Sequence, residues 1–332
     1  MPDTFRAFMI DRPDGEKTQT TAWNAISQND LMAGDVTVRV THTTMNYKDA
    51  LAITGRGPVV RRFPMIPGID FAGEVTASDH ADFASGDSVI LNGWGVGEVH
   101  HGGYAGFARV KGDWLLKTPQ GLSPADCMAI GTAGYTAALC VQRLIDLGVG
   151  TDRGTVLVSG AAGGVGSLAI SLLSTLGYTV AASTGRTAEE AYLKSLGASE
   201  IIDRREFSDA KVRPLNKERF AAAVDAVGST TLANILSMIK YDGVVAACGL
   251  AQGADLPATV MPFILRGVTL AGVDSVMAPK TAREAAWRLL DETLDRRALA
   301  AITREVEFDD VESLAESLLG GRIRGRLLIK VA

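Results

Sequence analysis

Apolar residues recur along this chain with two different periods, and the change between them divides it. From Val36, "DVTVRVTHTTMN" alternates apolar and polar positions, and "GEVTASD", "DSVILNGWGVG" and "GYAGFARV" follow as short runs punctuated by Gly, Asp and Pro. That spacing predicts a β-rich module of short strands, of the kind that closes into a partly open barrel. At Pro124 the period becomes helical in "SPADCMAIGTAGYTAALCVQRLIDLG", with Ser123 predicted as the N-cap and Gly148 as the stop. From 155 to about 274 two kinds of segment alternate. "TVLVSG", "TVAAST", "SEIIDR", "FAAAVDAVG" and "GVVAACGL" read as strands. "GVGSLAISLLSTLG", "TAEEAYLKSLG" and "TTLANILSMIK" read as helices, the second with Thr187 and Glu190 spaced for a capping box. Strands that are apolar throughout, bounded by helices, predict an α/β fold with a parallel sheet covered on both faces. One long helix is predicted from about 279 to 297. The tail "EVEFDDVESLAESLLGGRIRGRLLIKV" ends on a strand able to rejoin the first module.

Composition bounds this picture without changing it. A length of 332 residues suits two domains, and the pattern change puts the divisions near 125 and 298. Residues 1–125 with 299–332 then form the β-rich module and 126–298 the α/β domain. A net charge of −5 argues against nucleic acid or an anionic membrane surface as partner. Cys127, Cys140 and Cys248 lie far apart in sequence among small or apolar neighbours, which predicts buried small hydrophobes and no disulfide framework. The start "MPDTFRAFMIDRPDG" lacks a basic flank followed by an apolar stretch, and no apolar run approaches the length of a membrane span. A cytoplasmic protein with no membrane contact is expected.

Chemistry enters at "VLVSGAAGGVGSLAISLLSTLGYTVAASTGR", from Val156 to Arg186. Ala161-Ala162-Gly163-Gly164-Val165-Gly166 fits A-x-G-x-x-G between a predicted strand and helix. Such a turn bends tightly, admits a pyrophosphate where a side chain is missing, and lets the helix pack closely on the sheet. The helix N-terminus then offers free N–H groups to phosphate. A site for NAD usually has Asp or Glu at the end of the second strand, for the ribose hydroxyls. Here that end is Ser183-Thr184-Gly185-Arg186, rich in donors and free of carboxylate, which selects NADPH. Arg204, after the third strand, can reach the same region.

The turn together with "NYKDAL" at residues 46–51, "RRFPMIPGIDFAGEV" from Arg61, "IGTAGYTAA" from Ile130, "ASTGR", "YLKSLGA" from Tyr192 and "GRIRGRLLIK" near the end carries a family resemblance. Over essentially its full length the chain resembles the zinc-independent medium-chain dehydrogenase/reductases, within their quinone-oxidoreductase-like group and its acrylyl-CoA reductase branch. The resemblance implies a Rossmann doubly wound parallel sheet inserted into a GroES-like β-rich catalytic domain, and a homodimer. It implies NADPH-dependent reduction of the activated C=C of acrylyl-CoA to propionyl-CoA, with Leu250 and Ser275 added to the cofactor-binding residues. No metal is expected. Ile69-Asp70 stands where zinc-dependent relatives have a His-Glu pair, and the adjacent His100 and His101 lack further ligands and read as an exposed loop.

Without a metal, such a reductase must hold alkene and nicotinamide face to face and stabilise an enolate. The resemblance brings "NYKD" beside the nicotinamide, so Tyr47 is the first catalytic candidate, either hydrogen-bonding the cofactor or donating a proton. Asn46 is read as binding substrate or ribose, and Asp49 as orienting its neighbours. In Arg322-Ile323-Arg324-Gly325-Arg326 a strand would put all three arginines on one face; the resemblance brings this segment close to the active-site cleft, which implies Arg324 at the cofactor's nicotinamide end or at an enolate oxygen. Arg56, Arg61 and Arg62 are candidates for the phosphates of a CoA thioester or solvated surface charges. Two alternatives stand beside this reading: a reductase of quinones or enones, and a non-catalytic NADPH-binding protein.

Overall fold

The first strands follow the alternation of the sequence. The computed structural model describes residues 4–16, 18–209 and 211–331. A hairpin of β1 (Phe5–Asp11) and β2 (Thr20–Ile26) is followed by β3 (Val36–Thr44), the short helix α1 (Tyr47–Thr54), β4 (Asp70–Ser78), β5 (Ser88–Asn92), β6 (Phe107–Val110) and β7 (Leu116–Lys117). The antiparallel pairs β3–β4 and β4–β5 form the body of a sheet, with β6 also on β3. One face buries Val36, Val38, Val40, Phe71, Val75, Val89 and Leu91. Helix α1 was hidden in the sequence; Gly55, in the left-handed conformation at φ 67°, ends it.

Helix α2 (Pro124–Asp146) begins as predicted. Ser123 Oγ accepts the Asp126 N–H at 3.1 Å, and the Asp126 carboxylate accepts the Ser123 N–H at 3.0 Å. It is not continuous, because Gly131 sits at φ 52°, ψ −165°, and breaks the run.

Beyond it come β8 (Val156–Val158), α3 (Gly164–Thr175), β9 (Val180–Thr184), α4 (Glu190–Ser195), β10 (Ala198–Asp203), α5 (Arg205–Ser208), β11 (Phe220–Asp225), α6 (Ser229–Met238), β12 (Ile239–Ala247), α7 (Met261–Arg266) and β13 (Thr269–Gly272). The six strands pair in parallel in the order β10-β9-β8-β11-β12-β13. The order runs outward both ways from β8, the doubly wound arrangement. Every residue of β8, β9 and β11 is buried, which is why they read as unbroken apolar runs.

The predicted long helix is two: α8 (Lys280–Thr293) and α9 (Arg296–Ile302). Asp295 stops the first and starts the second, its carboxylate accepting the Arg297 N–H at 2.8 Å. The capping box of Thr187 and Glu190 does not form. Residues 187–189 make a 3-10 turn, with Glu189 at the N-cap of α4 and no side-chain cap. Strand β14 (Thr303–Val306) and helix α10 (Val311–Leu319) precede β15 (Arg326–Lys330), which pairs antiparallel with β3. Val311, Leu314 and Ala315 of α10 join a core with Phe8, Tyr104 and Phe308.

The chain divides into two compact units. One takes residues up to Thr132 with Ser275–Lys280 and everything from Thr303 onward; the other takes Ala133–Asp274 and Thr281–Ile302. The divisions fall past 125 and 298 for local reasons. The start of α2 is tied to Asp70 through Thr132, β14 pairs with β15, and the Trp94 N–H donates to the Val276 carbonyl.

Candidate active site

In the α/β unit, chain direction and glycine chemistry build the turn after β8. The left-handed backbone falls on Gly160, at φ 60°, so alanine is tolerated at 161. A Cβ on Gly166 would lie 2.5 Å from the Gly160 carbonyl oxygen and 2.6 Å from Ala161 Cα, so only glycine lets α3 pack there. Gly163 is the N-cap of α3, and Gly163, Gly164 and Val165 are half-buried at its open end. The Ala161 N–H donates to the Ser183 carbonyl at 3.1 Å, which brings turn and second strand together.

The end of β9 turns sharply. The Thr184 hydroxyl accepts the Arg186 N–H at 3.0 Å, and Arg186 folds back so that Nη2 donates to the Ala162 carbonyl at 2.8 Å. The Arg204 N–H donates to the Thr184 carbonyl at 3.0 Å, and its exposed side chain crosses Gly185. A Cβ at 185 would meet Arg204 Nε at 2.6 Å. Ser183, Thr184, Gly185, Arg186 and Arg204 are therefore brought together beside the turn, with Ser183 and Thr184 largely buried. Leu250 is exposed after β12, its Cα 3.3 Å from the position a Cβ on Gly228 would take.

Sequence reasoning missed Ser159 and Asp225, at the ends of β8 and β11. Ser159 Oγ donates to Asp225 at 2.6 Å, and the same carboxylate accepts the Gly228 N–H at 2.8 Å. Burial holds the Asp225 carboxyl above its ordinary range. A polar residue ending each of two apolar strands was the available signal. Wide sequence spacing does not keep Cys140 and Cys248 apart, and they lie beside each other. That contact, with burial, pushes the Cys140 thiol well up.

In the β-rich unit, Tyr47 opens α1 and is 49% exposed. Asn46 precedes it, and its side chain is bonded within the protein at both ends. Its Oδ1 accepts from Arg326 Nη1 at 3.0 Å, and its Nδ2 donates to Asp70 at 2.7 Å and to Asp49 at 3.3 Å. Asp70 accepts from Asn46, from Asn92 Nδ2 at 2.8 Å, from the Thr132 N–H at 2.7 Å and from the Thr132 hydroxyl. Asp49 accepts the N–H groups of Asn46 at 2.8 Å and Ile69 at 2.9 Å. Burial, then the charge of Asp70, raises its pKa to about 7 against those bonds.

Arg326 is the cation of this cluster, donating also to the Ala129 carbonyl at 3.1 Å and to the Thr44 hydroxyl at 2.7 Å. Arg322 and Arg324 are exposed, so the three arginines do not share a face. Strand pairing starts only at Arg326, and positive φ at Gly321 and Gly325 breaks the alternation. A Cβ on Gly131 would lie 2.3 Å from Arg326 Nη2, which explains the glycine at the kink of α2.

Ser275 lies in this unit, its carbonyl 3.1 Å from the position of a Cβ on Gly93. Arg56 pairs with Glu316 at 2.6 Å and Arg61 with Glu98 at 2.9 Å, while Arg62 is exposed. The histidines are not the exposed loop expected. His101 is buried, with its pKa lowered to about 4 by burial and then by His100, whose ring meets Trp114 edge-on at 5.1 Å. Among the described residues no three His, Cys, Asp or Glu side chains converge as metal ligands. No helix among them is long and apolar enough to cross a membrane.

A strand-rich unit assembled from both chain ends, with a doubly wound dinucleotide-type sheet between, defines an oxidoreductase class. Residues 32–120 match the family described as alcohol dehydrogenase GroES-like domain and residues 164–292 the one described as zinc-binding dehydrogenase. The chain belongs to the medium-chain dehydrogenase/reductase family, in its quinone-oxidoreductase-like group. It is 49% identical to "Probable acrylyl-CoA reductase AcuI" of Escherichia coli over 98% of this chain and 99% of that one. It is 47% identical to "Acrylyl-CoA reductase AcuI" of Ruegeria pomeroyi over the same shares. The crystal structure of the yhdH oxidoreductase from Salmonella enterica in complex with NADP superposes with a TM-score of 0.96 at 50% identity, covering 98% of this chain and all of that one. That of Bacillus subtilis yhfP with NAD bound gives 0.95 at 43% identity over 98% and 99%.

Proposed function

We propose that the chain is a cytoplasmic, homodimeric, NADPH-dependent reductase of C=C bonds conjugated to a thioester, with acrylyl-CoA reduced to propionyl-CoA. The observation that carries the cofactor is Arg186 folded onto the glycine turn where a carboxylate would favour NAD. The substrate class comes from the relatives that share nearly the whole length. The residues fit the cofactor: Ala162, Gly163, Gly164, Val165 and Gly166 leave room for a pyrophosphate against the N–H groups of α3. Ser183, Thr184, Arg186 and Arg204 supply donors for the 2′-phosphate. Leu250, Ser275 and Arg324 complete the cofactor contacts that the resemblance implies.

NADPH, when bound, supplies the hydride that reaches the β-carbon. The chain's task is to orient the thioester, exclude water and deliver a proton to the α-carbon as C=C becomes C–C. Tyr47, half exposed at the start of α1, is the group for that end of the site; its phenol donates the proton or holds the acceptor. Mixing the protein with NADPH and acrylyl-CoA should consume NADPH absorbance with a turnover on the order of 1–1000 per second. Arg56 and Arg61 are occupied by glutamates, and that favours a second reading in which the acceptor is a small enone or quinone. Brisk turnover of 1,4-quinones with none of acrylyl-CoA would select it.

The homodimer has its own support. Strand β13 is the sheet's edge, and α7 beside it exposes Ile264 and Leu265, with Val260 at its N-cap. An edge strand flanked by apolar side chains invites pairing with a second copy. Light scattering should report two chains per particle, and Ile264→Glu with Leu265→Glu should shift it to one. A monomeric unmodified protein would refute the assembly.

A further inference from the structure

Nothing among the described residues hydrogen-bonds the Tyr47 phenol, so its direction is set by its own backbone, and that backbone is set by its neighbours. On one side stands Asn46. Its carbonyl end meets the guanidinium of Arg326 and its amide end the carboxylate of Asp70, at 3.0 Å and 2.7 Å. Reversing the amide would turn its NH2 toward a cation and its oxygen toward an anion, so only one orientation is stable. On the other side Lys48 Nζ binds Glu98 at 2.8 Å, and Glu98 also holds Arg61. Helix α1 has only eight residues, so its first turn leans on such anchors besides its own Asp49, whose carboxylate accepts the Asn46 N–H at 2.8 Å.

We propose that Asp70 and Arg326 are positioning residues for Tyr47. By clamping the Asn46 amide between opposite charges they fix the first turn of α1, and so the line along which the Tyr47 phenol leaves the surface. The clamp binds segments remote in sequence: Arg326 on β15, Asp70 on β4, Thr44 at the end of β3, and Ala129 and Thr132 at the kink of α2. Every polar end of Asp70 and of the Asn46 side chain is used within it. A group that is buried, charged and fully bonded, yet one residue from an exposed phenol, is built to hold rather than to react. The inference rests on Tyr47 acting at the reacting end of the site, as proposed above.

Steady-state kinetics, NADPH affinity and hydrogen exchange on the full protein test it together. Arg326→Met should lower kcat about tenfold to a hundredfold, the scale of a misplaced group, with NADPH affinity held within about twofold. Arg326→Lys should recover part of the loss. The segment containing α1 should exchange its amide hydrogens at least about tenfold faster, with β8 to β13 unchanged. In a Tyr47→Phe background the Arg326→Met loss should largely vanish, since the group being aimed is gone. Where Arg326→Met does not fold, Asn46→Ala gives the same readings while leaving Asp70 bonded to Thr132 and Asn92. Losses that multiply with Tyr47→Phe, or unchanged exchange in α1, would overturn the positioning role. Full kcat in Tyr47→Phe alone would instead remove the reading of Tyr47, and exchange in α1 would still report on the clamp.

Discussion

Replacing Arg186 with alanine should weaken NADPH binding by about tenfold to several hundredfold and NADH binding by no more than about twofold. The expectation follows from where charge sits at the strand ends. No carboxylate closes β9. The nearest acid on β10, Asp203, is held by Arg205 at 2.6 Å, and that pairing lowers its pKa to about 2. Arg186 and Arg204 are the cations proposed to face the ribose phosphate. Arg186 is partly buried and braced against the Ala162 carbonyl, so little ordering remains for it on binding. Arg204 is exposed, and Arg204→Ala should cost several times less, as screened surface contacts do. A 2′-hydroxyl presents no charge to either side chain, which is why NADH is expected to be indifferent. Calorimetric titration of both cofactors into both variants measures each loss. Equal losses of NADH and NADPH would mean that Arg186 braces the turn rather than reading the phosphate.

The parallel sheet was legible because burial on both faces leaves an unmistakable apolar run, as in "FAAAVD". The glycine turn was legible because its demands are local: Gly166 answers to atoms five and six residues away. Only its placement of the positive φ, on Gly160 rather than at 161, needed the structure. Helix α1 escaped because two turns beginning with Asn-Tyr-Lys carry too short an apolar pattern to separate from a strand end. The helix predicted from 279 to 297 was overextended because its apolar period continues across Asp295 even though the backbone does not.

The buried cluster was illegible for a different reason. Arg326 reaches Asn46 across 280 positions of sequence, and no spacing rule links residues so far apart. The alternation in "RIRGR" predicted three arginines on one face because it assumed a strand, whereas two glycines with positive φ postpone the strand to Arg326. Asp70 was noticed only as a departure from a metal-binding pattern. Its bonds to Asn46, Asn92 and Thr132 become visible when β4, β5 and the kinked helix are brought together. Residues proposed to touch a ligand left a pattern in the sequence; those proposed to position them left almost none.

That cluster also makes stability depend on pH with a definite sign. Asp49 is buried near Asp70, Arg326 and the fully buried phenol of Tyr104, the other titratable groups that face it. Its pKa rises from 3.8 to about 7, first through burial and then through Asp70. The folded state therefore binds a proton that the unfolded state has already released over most of the range between those values. Stability from this group is fully present below 3.8 and is lost as pH rises through 7. Between pH 5 and 8 the loss should reach about 2–3 kcal/mol. Asp49→Asn removes the titration and substitutes a constant penalty, since the new NH2 meets N–H donors at Asn46 or Ile69. Urea denaturation of both proteins at pH 5, 6, 7 and 8 should show the unmodified protein ahead at pH 5 by a margin that shrinks, and can reverse, by pH 8. A margin independent of pH would mean that the N–H bonds from Asn46 and Ile69 keep Asp49 ionised throughout. In that case Arg326 balances two carboxylates rather than one, and its removal would be the costlier for it.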